Sequence, residues 1–540
     1  MALEELGKSS MDGNEPVQNS GENTKPSARR TDGPRASASE QLTTPSETGI
    51  GLSMFGLIVG LATGIGVYAL IEYWFDQDAA APTSFVAVIF LISASAGTLL
   101  LASKNNMALS IAYALANAAL LAIPSYFIFS KVDLPNLDEF PMFFWLGIGL
   151  PLSAYILTVI ARATLQEGAP PPYSAIFYHG ITLPLIAAGG KVFAGLALLL
   201  LVAWSFLLNE LGVSLFRDLL NEAWFILPFL GAIGGLSIMM IRAQQSVLGA
   251  LRFILLLFSR IAMPIMAVFS LTLLIVFAVN GVTPVFDRPY PSAWILGLSF
   301  AGMLIFNGVY QNGEAAPPPL WLRLSTIIAN LSFPIYAGIA AYAFWLRVSD
   351  YGLTPPRIAG LLVTALAFAY SVIAVVGVIS EINWRSKRWM PLVGPLNSMM
   401  AGLWVIALIV ISTPLLNPWA ISAKSQEQLL LDQKIAAKDF DFRYLRFRLG
   451  EHGLAALDRL ALLTDHPELD EIKAGVADAQ TAEYYSARPL TEPTAGPTDL
   501  PSEDGAPTAP MQLELNPTDN PDKDEAEEPS NTGPDAPSLK

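Results

Sequence analysis

GIGLSMFGLIVGLATGIGVYALIEYW, residues 49–74, carries no charged side chain before Glu72. About 20 apolar residues in a helix match the ~30 Å hydrocarbon layer of a bilayer, so this segment is long enough to cross one. A helix is the expected form, because backbone N–H and C=O groups find no water there and must satisfy each other. Ten further stretches read the same way, near 84–101, 107–129, 140–161, 188–208, 223–241, 261–280, 291–309, 324–346, 358–380 and 390–413. The expected fold class is therefore all-α, a polytopic transmembrane helical bundle of about eleven spans.

Composition agrees. Hydrophobic residues make up 53% of the chain and charged residues 14%, with a mean hydropathy of +0.47, against roughly 25% charged in a soluble domain. The net charge of -15 belongs mostly to two polar tails. Residues 1–48 are rich in Ser, Thr, Gly, Pro and mixed charge, and residues 481–540 in Pro, Glu, Asp, Thr and Ser. Both compositions favour disorder, so the acidity says little about a substrate. The first tail lacks the short apolar core of a cleavable signal peptide, which leaves the first span as its own insertion signal. Cysteine is absent, which excludes disulfides, thiolate zinc sites, iron–sulfur clusters and cysteine nucleophiles.

Lys and Arg collect in short cytoplasmic loops. With the N-terminus inside, the cytoplasmic side holds five bases in the tail plus Lys104, Arg162, Arg242, Arg252, Arg260, Arg323, Arg385, Lys387 and Arg388. The other side holds only Lys131, Arg217, Arg288, Arg347 and Arg357. An odd number of spans then puts the C-terminal segment outside. The least settled stretch is 173–208, where Tyr173 to Pro184 runs into Gly189-Gly190-Lys191. It reads either as an interfacial helix followed by a span or as one longer, broken span.

The chain divides into the tail 1–48, a first group of about four spans over 49–165, a membrane domain of about seven spans over 173–414, an appendage over 415–466 and the tail 481–540. In the appendage, Ile421 to Lys434 reads as a helix, and Phe440-Asp441-Phe442-Arg443-Tyr444 alternates like a short strand. Leu454, Leu457, Leu460 and Leu463 recur every three residues, as on a helix face. Some fifty residues make a marginal core, so the piece is expected to dock on the membrane domain or on a partner.

Several residues are candidates for function. Gly56, Gly60 and Gly64 line one face of the first span and Gly231 and Gly235 repeat the spacing in the sixth, a device for close helix packing. Asn117, Asn330 and Lys191 are polar groups at bilayer depth, where an unbonded group costs about 1–3 kcal/mol. Pro334 frees the carbonyl of Asn330 four residues earlier, as in broken transporter helices. The bland alternatives are an Asn bonded to a neighbouring helix and a Lys191 that reaches for the headgroups. Arg242, Arg252 and Arg260 with intervening Leu251, Ile254, Leu255 and Phe258 form a basic amphipathic stretch that can attract anionic lipid or simply fix topology.

Glu72, Glu210, Glu222 and Glu381 fall at span ends, which disfavours ion-coupled transport. His179, His452 and His466 are the only histidines, and none has a metal-binding partner at motif spacing. G-x-S-x-G, phosphate-binding Gly-Lys-Ser/Thr and G-x-G-x-x-G motifs are missing. No cofactor or metal is expected, and nucleic acid is not an expected partner.

Tyr310-Gln311-Asn312-Gly313, Tyr351-Gly352-Leu353-Thr354-Pro355-Pro356-Arg357, and Phe440-Asp441-Phe442-Arg443-Tyr444-Leu445-Arg446-Phe447 with Leu449-Gly450 resemble the DUF4153 family of bacterial polytopic membrane proteins. The likeness covers about residues 175–460. It implies a bacterial inner membrane and marks Tyr351, Thr354, Arg357, Asp441 and Arg446 for attention, but the family has no assigned activity and supplies no catalytic residues. In physical terms Thr354 is an N-cap and Pro355 suits the first helical position. Arg357 then needs a negative partner against the helix dipole, either Asp350 or a lipid headgroup.

These observations lead to an inner-membrane envelope component, a non-enzymatic scaffold whose appendage, 415–466, binds a partner outside. One rival is a transporter or channel working around Asn330, Pro334 and Asn117. A lipid-modifying enzyme using His179 or Arg357 is the third reading. The lipid bilayer is the one partner every reading shares.

Overall fold

The computed structural model describes residues 50–75, 82–130, 140–282, 291–314, 317–382, 388–483 and 485. Both tails expected to be disordered lie outside these residues except for the first few positions of 481–540, as do Lys131, Arg288, Arg385 and Lys387. Eleven helices are long and apolar enough to cross a membrane, and no strand occurs among the described residues.

In chain order the first spans are α1 (Ile50–Phe75), α2 (Pro82–Leu101), α3 (Met107–Ser130) and α4 (Leu150–Glu167), the last entered through a π-helical stretch, Phe140–Gly149. Next come α5 (Tyr173–Glu210), a short α6 (Leu215–Asn221), α7 (Ala223–Ala243) and α8 (Gln245–Asn280). The remaining spans are α9 (Pro291–Tyr310), α10 (Leu320–Tyr351), α11 (Pro355–Ile382) and α12 (Val393–Ile411).

Two expected boundaries move. Residues 173–208 form neither an interfacial helix plus a span nor a broken span, but one helix of 38 residues, about 57 Å long at 1.5 Å per residue. Its glycines pack rather than break: a Cβ on Gly190 would lie 2.9 Å from Cγ1 of Ile238, and one on Gly189 3.3 Å from Ile241. Likewise Arg252 and Arg260 of the basic stretch lie within α8 itself, 36 residues running through Pro264, while Arg242 ends α7. The outer faces of α5 and α8 expose apolar side chains, Phe206, Ile265 and Val268 among them, as lipid contact requires.

The two glycine sets turn out to be each other's partner. A Cβ on Gly56 would come 2.7 Å from the carbonyl oxygen of Gly235, Gly60 faces the carbonyl of Gly231, and Gly64 faces Leu227 and Pro228. Antiparallel α1 and α7 thus touch backbone to backbone, where dispersion and Cα–H···O contacts hold helices that no hydrophobic effect drives together in lipid.

Side-chain contacts sort the helix ends into two faces of the bundle. At one end Arg242 reaches the carbonyls of Leu99 and Ala102, Arg162 reaches Leu101, and Arg323 pairs with Glu381. The first turns of α1 belong here too, because Gly56 abuts Met239 near the end of α7. At the other end Phe127, Phe129, Trp145, Ile358, Leu408 and Ile411 share one apolar cluster with the appendage.

The appendage is four helices: α13 (Pro418–Leu431), α14 (Phe442–Arg448), α15 (Gly450–Ala461) and α16 (Leu469–Thr481). The expected strand at 440–444 is a turn followed by a helix. Asp441 caps α14 by accepting from the Tyr444 N–H at 3.0 Å, Phe442 and Leu445 face inward three residues apart, and Phe440 is buried from the preceding turn. Leu457 and Leu460 are buried as expected, but Leu454 is exposed, because a three-residue repeat drifts around a 3.6-residue helix. Folded structure also continues past 466: Ile472, Val476 and Ala479 of α16 complete the core. Asp470 and Glu471 in its first turn suit the positive end of the helix dipole. Docking on the membrane domain is direct, with the buried Trp419 ring 6.1 Å from that of Phe127.

Candidate functional site

The ends of α5, α9 and α12 and the middle of α11 bring a carboxamide–phenol network together inside the bundle. Asn397, one turn into α12, donates Nδ2 to Oδ1 of Asn307 at 2.8 Å and to the Tyr173 hydroxyl at 3.2 Å. Asn307, one turn before the end of α9, donates to the Met303 carbonyl at 2.9 Å and to the Tyr370 hydroxyl of α11. Tyr310 closes the site by donating to the Met390 carbonyl at 3.2 Å and accepting from the Gly394 N–H at 3.0 Å.

Two features set this network apart from ordinary helix glue. Among the described residues, Oδ1 of Asn397 and Nε1 of Trp389 are buried without a hydrogen-bond partner, each at a cost of about 1–3 kcal/mol. Moreover, Met390 and Gln311 beside it hold φ of 45° and 59°, a left-handed conformation that costs a side-chain-bearing residue about 1–3 kcal/mol and gathers at functional sites.

Asn330 lies deeper. It is 0% exposed, and among the described residues neither Oδ1 nor Nδ2 has a partner. Helix α10 continues through Pro334, which has no N–H to return to the Asn330 carbonyl. The Arg323–Glu381 pair fixes the register of antiparallel α10 and α11. Two turns inward from that pair, Asn330 is level with Ala374, one helical turn, about 5.4 Å, from Tyr370. Among the described residues, unbonded polar atoms therefore occur both at Asn330 and at Asn397 and Trp389, within the part of the bundle built by α9 to α12.

The other sequence candidates separate. Asn117, on α3 among α2 and α4, has its own buried Nδ2 without a partner among the described residues but belongs to the other half of the bundle. Lys191 is exposed on α5, as a side chain reaching for headgroups would be. His179 is buried, with Nε2 2.7 Å from Oε1 of Gln166.

Tyr351, Thr354 and Arg357 form the seat of the appendage. Thr354 Oγ1 accepts from the Arg357 N–H at 3.4 Å, the expected N-cap. Arg357 Nη1 donates to the carbonyls of Tyr351 and Gly352 at 3.1 and 3.0 Å, at the negative end of the α10 dipole. Asp350 itself accepts from Ser349. From α13, Ser422 and Gln426 donate to the Leu353 carbonyl and Ser425 accepts from its N–H. Asp441 caps α14 and accepts from Tyr485 at 3.0 Å, while Arg446 donates to the Ala479 carbonyl at the end of α16. These residues hold the appendage together and in place.

Tyr173, Asn307, Tyr370, Trp389 and Asn397 carried no spacing motif in the sequence, and Tyr310 stood out only through the family-like stretch. The criterion that marked Asn330, an amide within an apolar run, would have found Asn307 and Asn397. No group of three or more His, Asp or Glu among the described residues could hold a metal. Comparison with known proteins found no matching family model, no matching curated protein and no matching solved structure.

Proposed function

We propose that this chain is a non-enzymatic, multi-pass protein of the bacterial inner membrane that accepts a small neutral polar solute between α5, α9, α10, α11 and α12 and lets it cross. The observation that carries this reading is the fully buried Asn330 carboxamide with both polar atoms unbonded. A carboxamide offers two donors and one acceptor oxygen, which suits an uncharged hydrogen-bonding solute. Ion coupling fits poorly: Glu381, the carboxylate nearest this region on α11, is paired with Arg323. The resemblance to DUF4153 and the distribution of Lys and Arg support an N-terminus in the cytoplasm and an appendage in the periplasm.

Reconstituted vesicles test the solute. Stopped-flow light scattering with urea and with glycerol should show faster volume recovery than protein-free vesicles, slowed in Asn330→Leu and Asn397→Leu. Recovery at the protein-free rate for both solutes would remove the reading.

A second reading keeps the chain as an envelope scaffold. It is favoured by the appendage, whose hydrogen bonds to the Tyr351–Leu353 turn hold it as a fixed platform. Cross-linking from its outer surface should then capture one defined protein.

A further inference from the structure

Three buried arginines lie at the basic end of the bundle, two of them against the end of α2. Arg162 of α4 donates to the Leu101 carbonyl at 2.8 Å, and Arg242 of α7 donates to those of Leu99 and Ala102, each at 2.6 Å. Arg252 of α8 donates Nη1 to the Thr182 hydroxyl of α5 at 2.8 Å and lies 4.4 Å from the Tyr178 ring centroid. Both Arg162 and Arg252 are within electrostatic reach of His179. Beneath them Val159, Leu183, Ile186 and Leu248 form a shared apolar cluster.

The charge of Arg252 meets no anion among the described residues. Arg252 is 8% exposed, and its partners among the described residues are a neutral hydroxyl and an aromatic face. A guanidinium has five donors in a fixed fork, and a buried cation requires an anion or dense hydrogen bonding. A phosphate matches that fork.

We propose that Arg252, with Thr182, binds a phosphate-bearing anion, the headgroup phosphate of an anionic lipid that enters beside α8. The lipid source follows from the surroundings: Leu251, Phe253, Ile254, Leu255 and Phe258 on the same helix are exposed and supply an apolar wall for acyl chains. Basic pockets between spanning helices are a recurrent means of holding such headgroups.

The test uses the full chain in phosphatidylcholine nanodiscs, titrated with phosphatidylglycerol or with inorganic phosphate and read by native mass spectrometry and thermal midpoint. Wild type should retain phosphatidylglycerol, Arg252→Gln should retain it about fivefold less, and Arg260→Gln, at an exposed position of the same helix, should match wild type. Arg252→Lys keeps the charge without the fork and should fall between, which preserves the test if the Gln variant does not fold. An Arg252-dependent midpoint shift with inorganic phosphate alone would support the phosphate chemistry and reassign its source to the free anion. Two results would overturn the site: wild type indifferent to both anions, or retention that Arg252→Gln and Arg252→Lys both leave unchanged.

Discussion

Replacing Asn330 with leucine should stabilise the protein, the reverse of what most substitutions of a fully buried residue do. Two buried atoms without partners cost about 1–3 kcal/mol each, whereas an apolar group of similar shape removes the penalty. Leucine has the branching and the number of side-chain heavy atoms of asparagine, although its methyls are bulkier, and Ala329, Phe333 and Ala337 beside it on α10 are themselves buried in an apolar cluster or core. Allowing for imperfect packing of the branched end, the net gain should be about 1–3 kcal/mol. Unfolding of the purified chain in detergent, followed by tryptophan fluorescence against denaturant, measures it. A more stable Asn330→Leu that also slows solute passage would show a residue retained for function at the expense of stability. A loss of about 1 kcal/mol or more would refute the reasoning, because it would mean that the carboxamide is bonded in the working protein and serves as a structural tie.

Other perturbations follow from particular contacts. Gly60→Ala drives a methyl into the Gly231 carbonyl and should lower stability by about 1–3 kcal/mol, while Gly195→Ala, with open space around it, should be neutral or gain up to ~1 kcal/mol; paired denaturation curves compare them. Gly352 holds φ of 68° with Leu429 Cδ1 2.5 Å from the place a Cβ would take, so Gly352→Ala should loosen the appendage and speed proteolysis between 412 and 418. Asp441→Ala removes the cap of α14 at a cost of about 1 kcal/mol, visible as faster amide exchange over 442–448 with exchange in α10 unchanged. Paired reporters at residue 470 and at the N-terminus should report opposite sides of the membrane, since α1 begins at the Arg242 end and the appendage closes the other; the same side for both would mean that one helix does not span.

The spans were legible because bilayer thickness imposes one simple requirement, a long uncharged run, and eleven segments meet it. Their lengths were not: α5 and α8 continue well beyond hydrocarbon thickness, and a hydropathy reading stops where polar side chains such as His179 and Arg252 begin. Glycine spacing showed that close packing occurs in the first and sixth spans, but not that the two sets meet, because spacing identifies a face and not its partner. In the appendage the alternation at 440–444 imitated a strand because a buried turn residue, Phe440, precedes a capped helix. Of the candidate site, Asn330 and Pro334 could be read from an amide and a proline within one apolar run. Asn307 and Asn397 meet the same amide criterion, but their joining with Tyr173 and Tyr370 in one network could not be read, since its members are single residues on four helices, brought together only by the fold.

A density map of the wild-type chain in a lipid nanodisc, at a resolution that shows ordered water, tests the central claim most directly. The proposed passage predicts water or solute density within hydrogen-bonding distance of the Asn330 carboxamide, extending past Tyr370 and Asn397 towards Trp389. A map in which both Asn330 atoms bond to neighbouring protein groups, with closely packed side chains from Asn330 to Asn397, would contradict it.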